Sequence, residues 1–207
     1  EEGLTKLAAV LNGRRPDYLV VHHMEPDHAG SIAAFVNLYP ETQVVASQKA
    51  LQMMEQFMDP CPVKNSLAIK EGDTLALGEH TLTFVAAPMV HWPEVMMSYE
   101  SAEHVLFAAD GFGKFGVYDA DPDDWACEAR RYYFNICGKY GTQVSAVLKK
   151  AAGLQIGTIC PLHGPVLEGE KLAEALRLYT IWSAYSVETE GVLVAHASIH
   201  GNTARAA

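Results

Sequence analysis

The chain has 207 residues, 49% of them hydrophobic and 19% charged, with a formal charge of −10. That is enough apolar chain for a sizeable globular core, and the acidic balance, with no Lys/Arg-rich run, makes nucleic acid a poor partner. No apolar stretch reaches the roughly 20 residues that span a bilayer, and no signal peptide precedes the first element, so the expected location is the cytoplasm, away from any membrane.

In chain order, Leu4, Leu7, Ala8 and Leu11 fall at helical spacing, and Asn12-Gly13 closes that helix. The apolar run Tyr18 to Val21 predicts a strand buried between layers. An acidic and histidine-rich cluster comes next, and a helix resumes over Ser31 to Tyr39. Gln43 to Ala46 predicts a strand, with Ser47 capping a helix from Gln48 to Met58; Met53, Met54 and Met58 there read as core filler. Short strands then succeed one another: Ser66 to Ile69, Thr74 to Leu77, Thr81 to Ala86, Val95 to Glu100 and His104 to Ala108. Helices are expected over Asp123 to Cys137 and Val144 to Ala152, a strand over Ile156 to Cys160, a helix over Gly169 to Tyr185, and a last strand over Gly191 to Ala197. Glu1 stands where a Met would begin a protein, and HGNTARAA stops as a helix should start, so the chain reads as an internal piece of a longer one. The polar run at 187–191 marks a boundary between a domain at 1–188 and the start of another at 191–207. A meander of strands with helices before and after suits an α+β fold, two sheets face to face with helices outside, in four layers.

Cys61, Cys127, Cys137 and Cys160 form no CxxC and match no zinc ribbon or disulfide framework. They read as reduced thiols, most of them buried.

The segment VVHHMEPDHAG concentrates potential ligands. His23, Glu25 and Asp27 share one phase after the strand, and His28 adds a fourth donor as the chain curls into a helix. His22 has the opposite phase and is expected to face away. Three further donors sit at predicted strand ends beside Gly or Pro: His91 in APMVHWPEVM, Asp110 in LFAADGFG and His163 in ICPLHGPVL. Seven donors without a thiolate suit a two-metal site with a bridging carboxylate, open to iron, manganese or zinc. Glu25 in place of a neutral imidazole adds negative charge, which favours ferric iron and redox chemistry over a zinc hydrolase.

These residues resemble the metallo-β-lactamase superfamily and, within it, the flavodiiron proteins (A-type flavoproteins). The resemblance is carried by DYLVVHHMEPDHAGS, KEGDTLALG, APMVHWPE, LFAADGFG, YYFNI and ICPLHGPVL, and runs over nearly the whole chain. The hydrolases of the superfamily carry H-x-H-x-D-H, where this chain has Glu25 as the second donor. The resemblance implies a metallo-β-lactamase-like αββα sandwich, truncated at its N-terminus. It implies one iron on His23, Glu25 and His91, another on Asp27, His28 and His163, and Asp110 between them. Trp92 and Pro93 would shape the pocket wall without binding metal, a simple core role being the alternative for Trp92.

The tail VLVAHASIHGNTARAA is similar to the first strand and phosphate loop of a flavodoxin-like α/β domain. By that likeness Ser198, Ile199, His200, Gly201, Asn202 and Thr203 would hold the phosphate of FMN. The resemblance further implies reduction of O2 to water, of NO to N2O, or both. It implies a rubredoxin or flavin-reductase donor and a head-to-tail homodimer or tetramer with Glu25 facing the incoming flavin. The stretch GFGKFGVYDADPDD after Asp110 departs from the family's usual sequence, which leaves the ligands in place but bears on substrate preference. Two other readings share most of the ligands: a dinuclear zinc hydrolase of the glyoxalase II kind, and a non-enzymatic di-iron O2 sensor. Glu25 argues against the first, and SIHGNT against both.

Overall fold

The structure, a computed structural model, describes residues 2–116, 125–192 and 194–207. Helix α1 (Glu2–Leu11) stops at Asn12-Gly13, both with positive φ, 47° and 79°, the left-handed backbone that ends helices. Strand β1 (Tyr18–Val21) leads into a one-turn helix, α2 (Pro26–Ala29), then α3 (Ile32–Leu38) and β2 (Gln43–Ser47). The Ser47 hydroxyl accepts the N–H of Ala50 at 3.1 Å and caps α4 (Gln48–Phe57). Strand β3 (Ser66–Ile69) completes a parallel three-stranded sheet in the order β1-β2-β3.

The second sheet takes β4 (Thr74–Leu77), β5 (His80–Ala86), β6 (Met96–Glu100), β7 (Val105–Phe107), β8 (Thr158–Cys160) and β9 (Leu167–Glu168) in chain order. Its neighbours are antiparallel except β7 and β8. A parallel pair needs a long crossover, and this one contains α5 (Trp125–Ile136) and α6 (Gly141–Ala151). Helix α7 (Gly169–Ser183) comes after β9, and α8 (Asn202–Ala206) lies near the end.

Strand alternation sorts the apolar residues into three cores, and the three cores define four layers. On β2, Val44 and Ala46 face helices α1, α3 and α4, meeting Leu4, Phe35, Met53 and Met54. Val45 points the other way, between the sheets, to Ile69, Leu82, Phe84 and Met96. The far face of the second sheet, through Val85, Met97, Tyr99 and Ile159, packs against Tyr133, Val147, Tyr179 and Trp182 of α5 to α7. The result is the expected αββα sandwich.

Several expectations need correction. Strand β1 is not buried on both sides: Tyr18 is exposed and Leu19 and Val20 are half-buried, because among the described residues β1 pairs only with β2 and is an edge. Strand β9, of two residues, is too short to leave a periodic signal. The segment 191–197, expected as a strand, has no strand partner among the described residues. Val192 is 92% exposed and Val194 59%, since a lone parallel strand has neither ladder hydrogen bonds nor a layer to cover it. Of the four thiols, all free, only Cys137 is buried; Cys127 lies on the exposed side of α5. The predicted helix start at Asp123 and residues 117–124 of the stretch after Asp110 lie outside the described residues.

Candidate metal centre

The C-terminal ends of β1, β5, β7 and β8 deliver the seven expected donors to one edge of the sandwich. After β1, Pro26 at the first position of α2 starts a single helical turn, with the N–H groups of His28 and Ala29 bonded to the Glu25 carbonyl at 2.9 and 2.8 Å. Glu25 therefore precedes the turn, while Asp27 and His28 lie on it. The loop 87–95 carries His91. Asp110 comes after β7 on a sharply bent backbone, with Ala109 at φ 49° and Phe112 at φ 67°. Left-handed backbone is unfavourable for such residues and needs support. Here the Ala109 carbonyl accepts the Leu162 N–H at 2.8 Å, and the Phe112 N–H donates to the Tyr179 hydroxyl at 2.7 Å. Gly111 is required: a Cβ there would stand 2.9 Å from the Ala108 carbonyl and 3.0 Å from the Met97 side chain.

The donors form two groups around Asp110. In one, His91 Nε2 lies 3.0 Å from both Glu25 Oε2 and Asp110 Oδ2, and His23 Nε2 lies 3.4 and 3.7 Å from the same two oxygens. In the other, His163 Nε2 is 3.3 Å from Asp27 Oδ2 and 3.1 Å from His28 Nε2, which is 3.0 Å from Asp110 Oδ1. Each carboxylate oxygen of Asp110 thus faces a different group. Ligands about 2.1 Å from one ion stand roughly 3.0–3.4 Å apart in octahedral or tetrahedral geometry, which is the spacing found here. Buried at the centre, His23 Nε2 has no hydrogen-bond partner. Leaving such an atom unpaired is costly, and with that spacing the donor set fits two cations.

The electrostatics agree. Burial opposes the charge on Asp110, but the imidazoles of His28, His91 and His23 outweigh it and hold the carboxyl far below the usual range. Burial likewise acts to lower His28 and His91; the hydrogen bonding and charge of Asp110, aided by Glu25, reverse that, and both lie above the ordinary imidazole value. His23 and Asp110 are sealed, whereas Asp27 and His163 are 50% and 34% exposed at the side chain. The centre opens past Asp27, His163 and Glu25, the last 36% exposed at the side chain, into a cavity of about 250 Å³ that His91 and Tyr132 also line. Gly113 lets Tyr132 approach, since a Cβ there would come within 2.8 Å of the ring.

His22 faces away as expected, between the sheets, with Nε2 2.8 Å from the Ser98 hydroxyl and its ring stacked on Phe107. Trp92 packs against two of the cores, and its ring meets His23 edge-on at 5.2 Å. The residues of the 198–203 loop belong to neither donor group. They are exposed apart from half-buried Gly201, whose φ of 78° precedes α8.

One functional residue escaped the sequence reading. Glu94 is 2% exposed and its Oε1 accepts from His23 Nδ1 at 2.7 Å and from the Met24 N–H at 2.9 Å. Burial would raise its pKa, but these donors keep the carboxyl below its usual value, so it stays charged. It fixes the proton of His23 on Nδ1 and turns Nε2 toward Glu25 and Asp110, as carboxylates behind metal-binding histidines do. The signal was present in HWPE, three residues after His91, but its pairing with His23 spans 71 positions.

The sequence and the fold are similar to those of known proteins. A family profile described as ODP family beta lactamase matches residues 2–164. A nitric oxide reductase of Moorella thermoacetica is 32% identical over 201 residues, covering 93% of this chain and 50% of the relative. The crystal structure of the flavodiiron protein from Giardia intestinalis superposes with a TM-score of 0.80 at 27% identity, over 88% of this chain and 46% of that one. The rubredoxin oxygen:oxidoreductase of Desulfovibrio gigas superposes with a TM-score of 0.78 at 30% identity, over 87% and 47%. The chain spans between 32% and 50% of the length of the curated relatives it matches.

Proposed function

The chain belongs to the ODP family beta lactamase group, and from that premise we propose that it is the di-iron domain of a flavodiiron oxidoreductase that reduces O2, NO or both. The observation that carries the reading is Asp110, buried and aimed with one oxygen at each of two donor groups, one of which contains a carboxylate where a hydrolase would have an imidazole. His23, Glu25 and His91 would hold one iron, Asp27, His28 and His163 the other, and Asp110 both. Bound there, the irons supply reducing equivalents and open coordination positions for taking O2 to water or NO to N2O.

The chain's own residues organise that chemistry. Glu94 holds the Nδ1 proton of His23, so that Nε2 points inward. Trp92 packs against His23 and His91 and closes the buried flank to water. The open flank, at Glu25, Asp27 and His163, admits the small substrate. In the whole protein, Ser198, Ile199, His200, Gly201, Asn202 and Thr203 would hold the FMN phosphate, with 1–188 and 191–207 belonging to separate domains. The donor to FMN would be a rubredoxin or flavin reductase, and the assembly a head-to-tail homodimer or tetramer in the cytoplasm, with Glu25 toward the flavin. Among the described residues no helix is long and apolar enough to cross a membrane.

The test is elemental analysis of the full-length protein, then anaerobic reduction and separate mixing with O2 and NO. Two irons and rapid consumption of at least one gas are expected. Two irons with neither gas consumed would refute the assignment, and two zincs with thioester hydrolysis would replace it.

A further inference from the structure

The motif GFGKFG after Asp110 contains a lysine that the ligand geometry leaves unused. Lys114 is only 5% exposed, yet it lines the cavity over Asp27, Asp110, Tyr132 and His163. The residue is thus enclosed while its side chain forms part of the cavity wall. Among the described residues it makes no hydrogen bond or ion pair, even though three carboxylates share the cavity wall. The enclosure is built. Gly164, next to His163, has φ 89°, and a Cβ there would stand 2.9 Å from Lys114 Cγ and 3.4 Å from its backbone nitrogen. The loop that carries His163 therefore closes directly over the lysine stem.

A buried ammonium is retained only where it has a counter-charge. Counter-charge from the site's own carboxylates is consumed once two divalent cations lie among them: three negative charges meet four positive ones, and Lys114 adds another of the same sign. A cation facing two cations across a small cavity is repelled unless an anion lies between. We propose that Lys114 anchors a small inorganic anion, of the azide or nitrite class, in the cavity beside Asp27 and His163. Its ammonium donates a hydrogen bond to the anion's outer atom while the metal centre takes the inner one. The inference rests on the two-metal reading of the site.

The experiment is a titration of azide into the oxidised full-length holoprotein, monitored through its charge-transfer absorption, after metal content has been measured for each variant. K114M keeps the apolar stem and removes the charge, and K114R keeps the charge. Two metals in all three proteins, with azide bound about 10- to 100-fold more weakly by K114M and restored most of the way by K114R, are expected. Binding of a neutral ligand, NO, to the reduced centre should change less than about 3-fold in K114M, which separates charge from packing. Equal azide affinity in K114M and the wild type at full metal content would overturn the proposal alone. Fewer than two metals in the wild type would overturn it together with the site reading on which it rests.

Discussion

Glu94 and Asp110 differ in what each does for the centre, and substitution should separate them. Asp110 faces both donor groups, so D110N is expected to reduce bound metal from two equivalents to one or fewer, read by elemental analysis. The Glu94 carboxylate accepts from His23 and the Met24 N–H, and its carbonyl accepts from the Ser47 hydroxyl. Replacing it by Gln preserves volume but weakens the hold on the Nδ1 proton, and metal affinity should fall about 10- to 100-fold without loss of stoichiometry at saturation. Chelator competition measures this, and an unchanged affinity would remove Glu94 from the site. Gly164 makes a different kind of contribution. At φ 89° and with Lys114 Cγ 2.9 Å from any added Cβ, G164A combines backbone strain with a steric clash. It should lower stability by about 1–2 kcal/mol, seen as a reduced denaturant midpoint. The seven candidate donors could be read from the chain because they cluster at strand ends. Glu94 and Lys114 could not, because their roles depend on a partner 71 positions away in one case and on a loop closing overhead in the other.

At the level of elements, the join between α5 and α7 rests on a polar clasp beyond the aromatic core of Tyr133, Tyr179 and Trp182. The Arg130 guanidinium makes a bidentate pair with Glu188, whose Oε2 also accepts the Trp182 indole N–H at 2.8 Å. Arg130 is the main reason that the Glu188 carboxyl lies at about 2, below its ordinary 4.5. A lowered carboxyl contributes its stability above the unfolded value and loses it as pH falls toward the folded one. The clasp should therefore act fully above about pH 4.5 and fade toward pH 2. Arg130 and Glu188 are 37% and 24% exposed at the side chain, so solvent screening limits the contribution to about 1 kcal/mol. E188Q should melt lower than the wild type at pH 7, with the gap closing as both are brought toward pH 3. A gap of constant size would assign the effect to packing. Helix and strand positions were readable from periodicity and caps, as with Asn12-Gly13 and Ser47. Strand β9 and the unpaired 191–197 segment were not, because pairing partners rather than local sequence decide whether a short run forms a ladder.

For the molecule as a whole, the αββα layering ends at the Glu188 clasp, and the chain past it packs on little: Val192 and Ile199 are 92% and 94% exposed. Removing 191–207 should shift the melting temperature by less than about 2 °C, whereas removing 186–207, and the clasp with it, should lower it by several degrees. A large shift from the shorter deletion would refute the boundary. The sequence by itself determined the alternation that sorts Val44 from Val45, the strand-end loops, the donor types and the glutamate that favours iron. Those arise from local backbone periods and side-chain chemistry, which each residue carries with it. Only the tertiary structure decided that Asp110 turns one oxygen to each donor group, that Glu94 stands behind His23, and that a buried lysine lines the same cavity. Such relations join loops from four strand ends, and no local rule sets the distance between groups that only the packed sheets bring together.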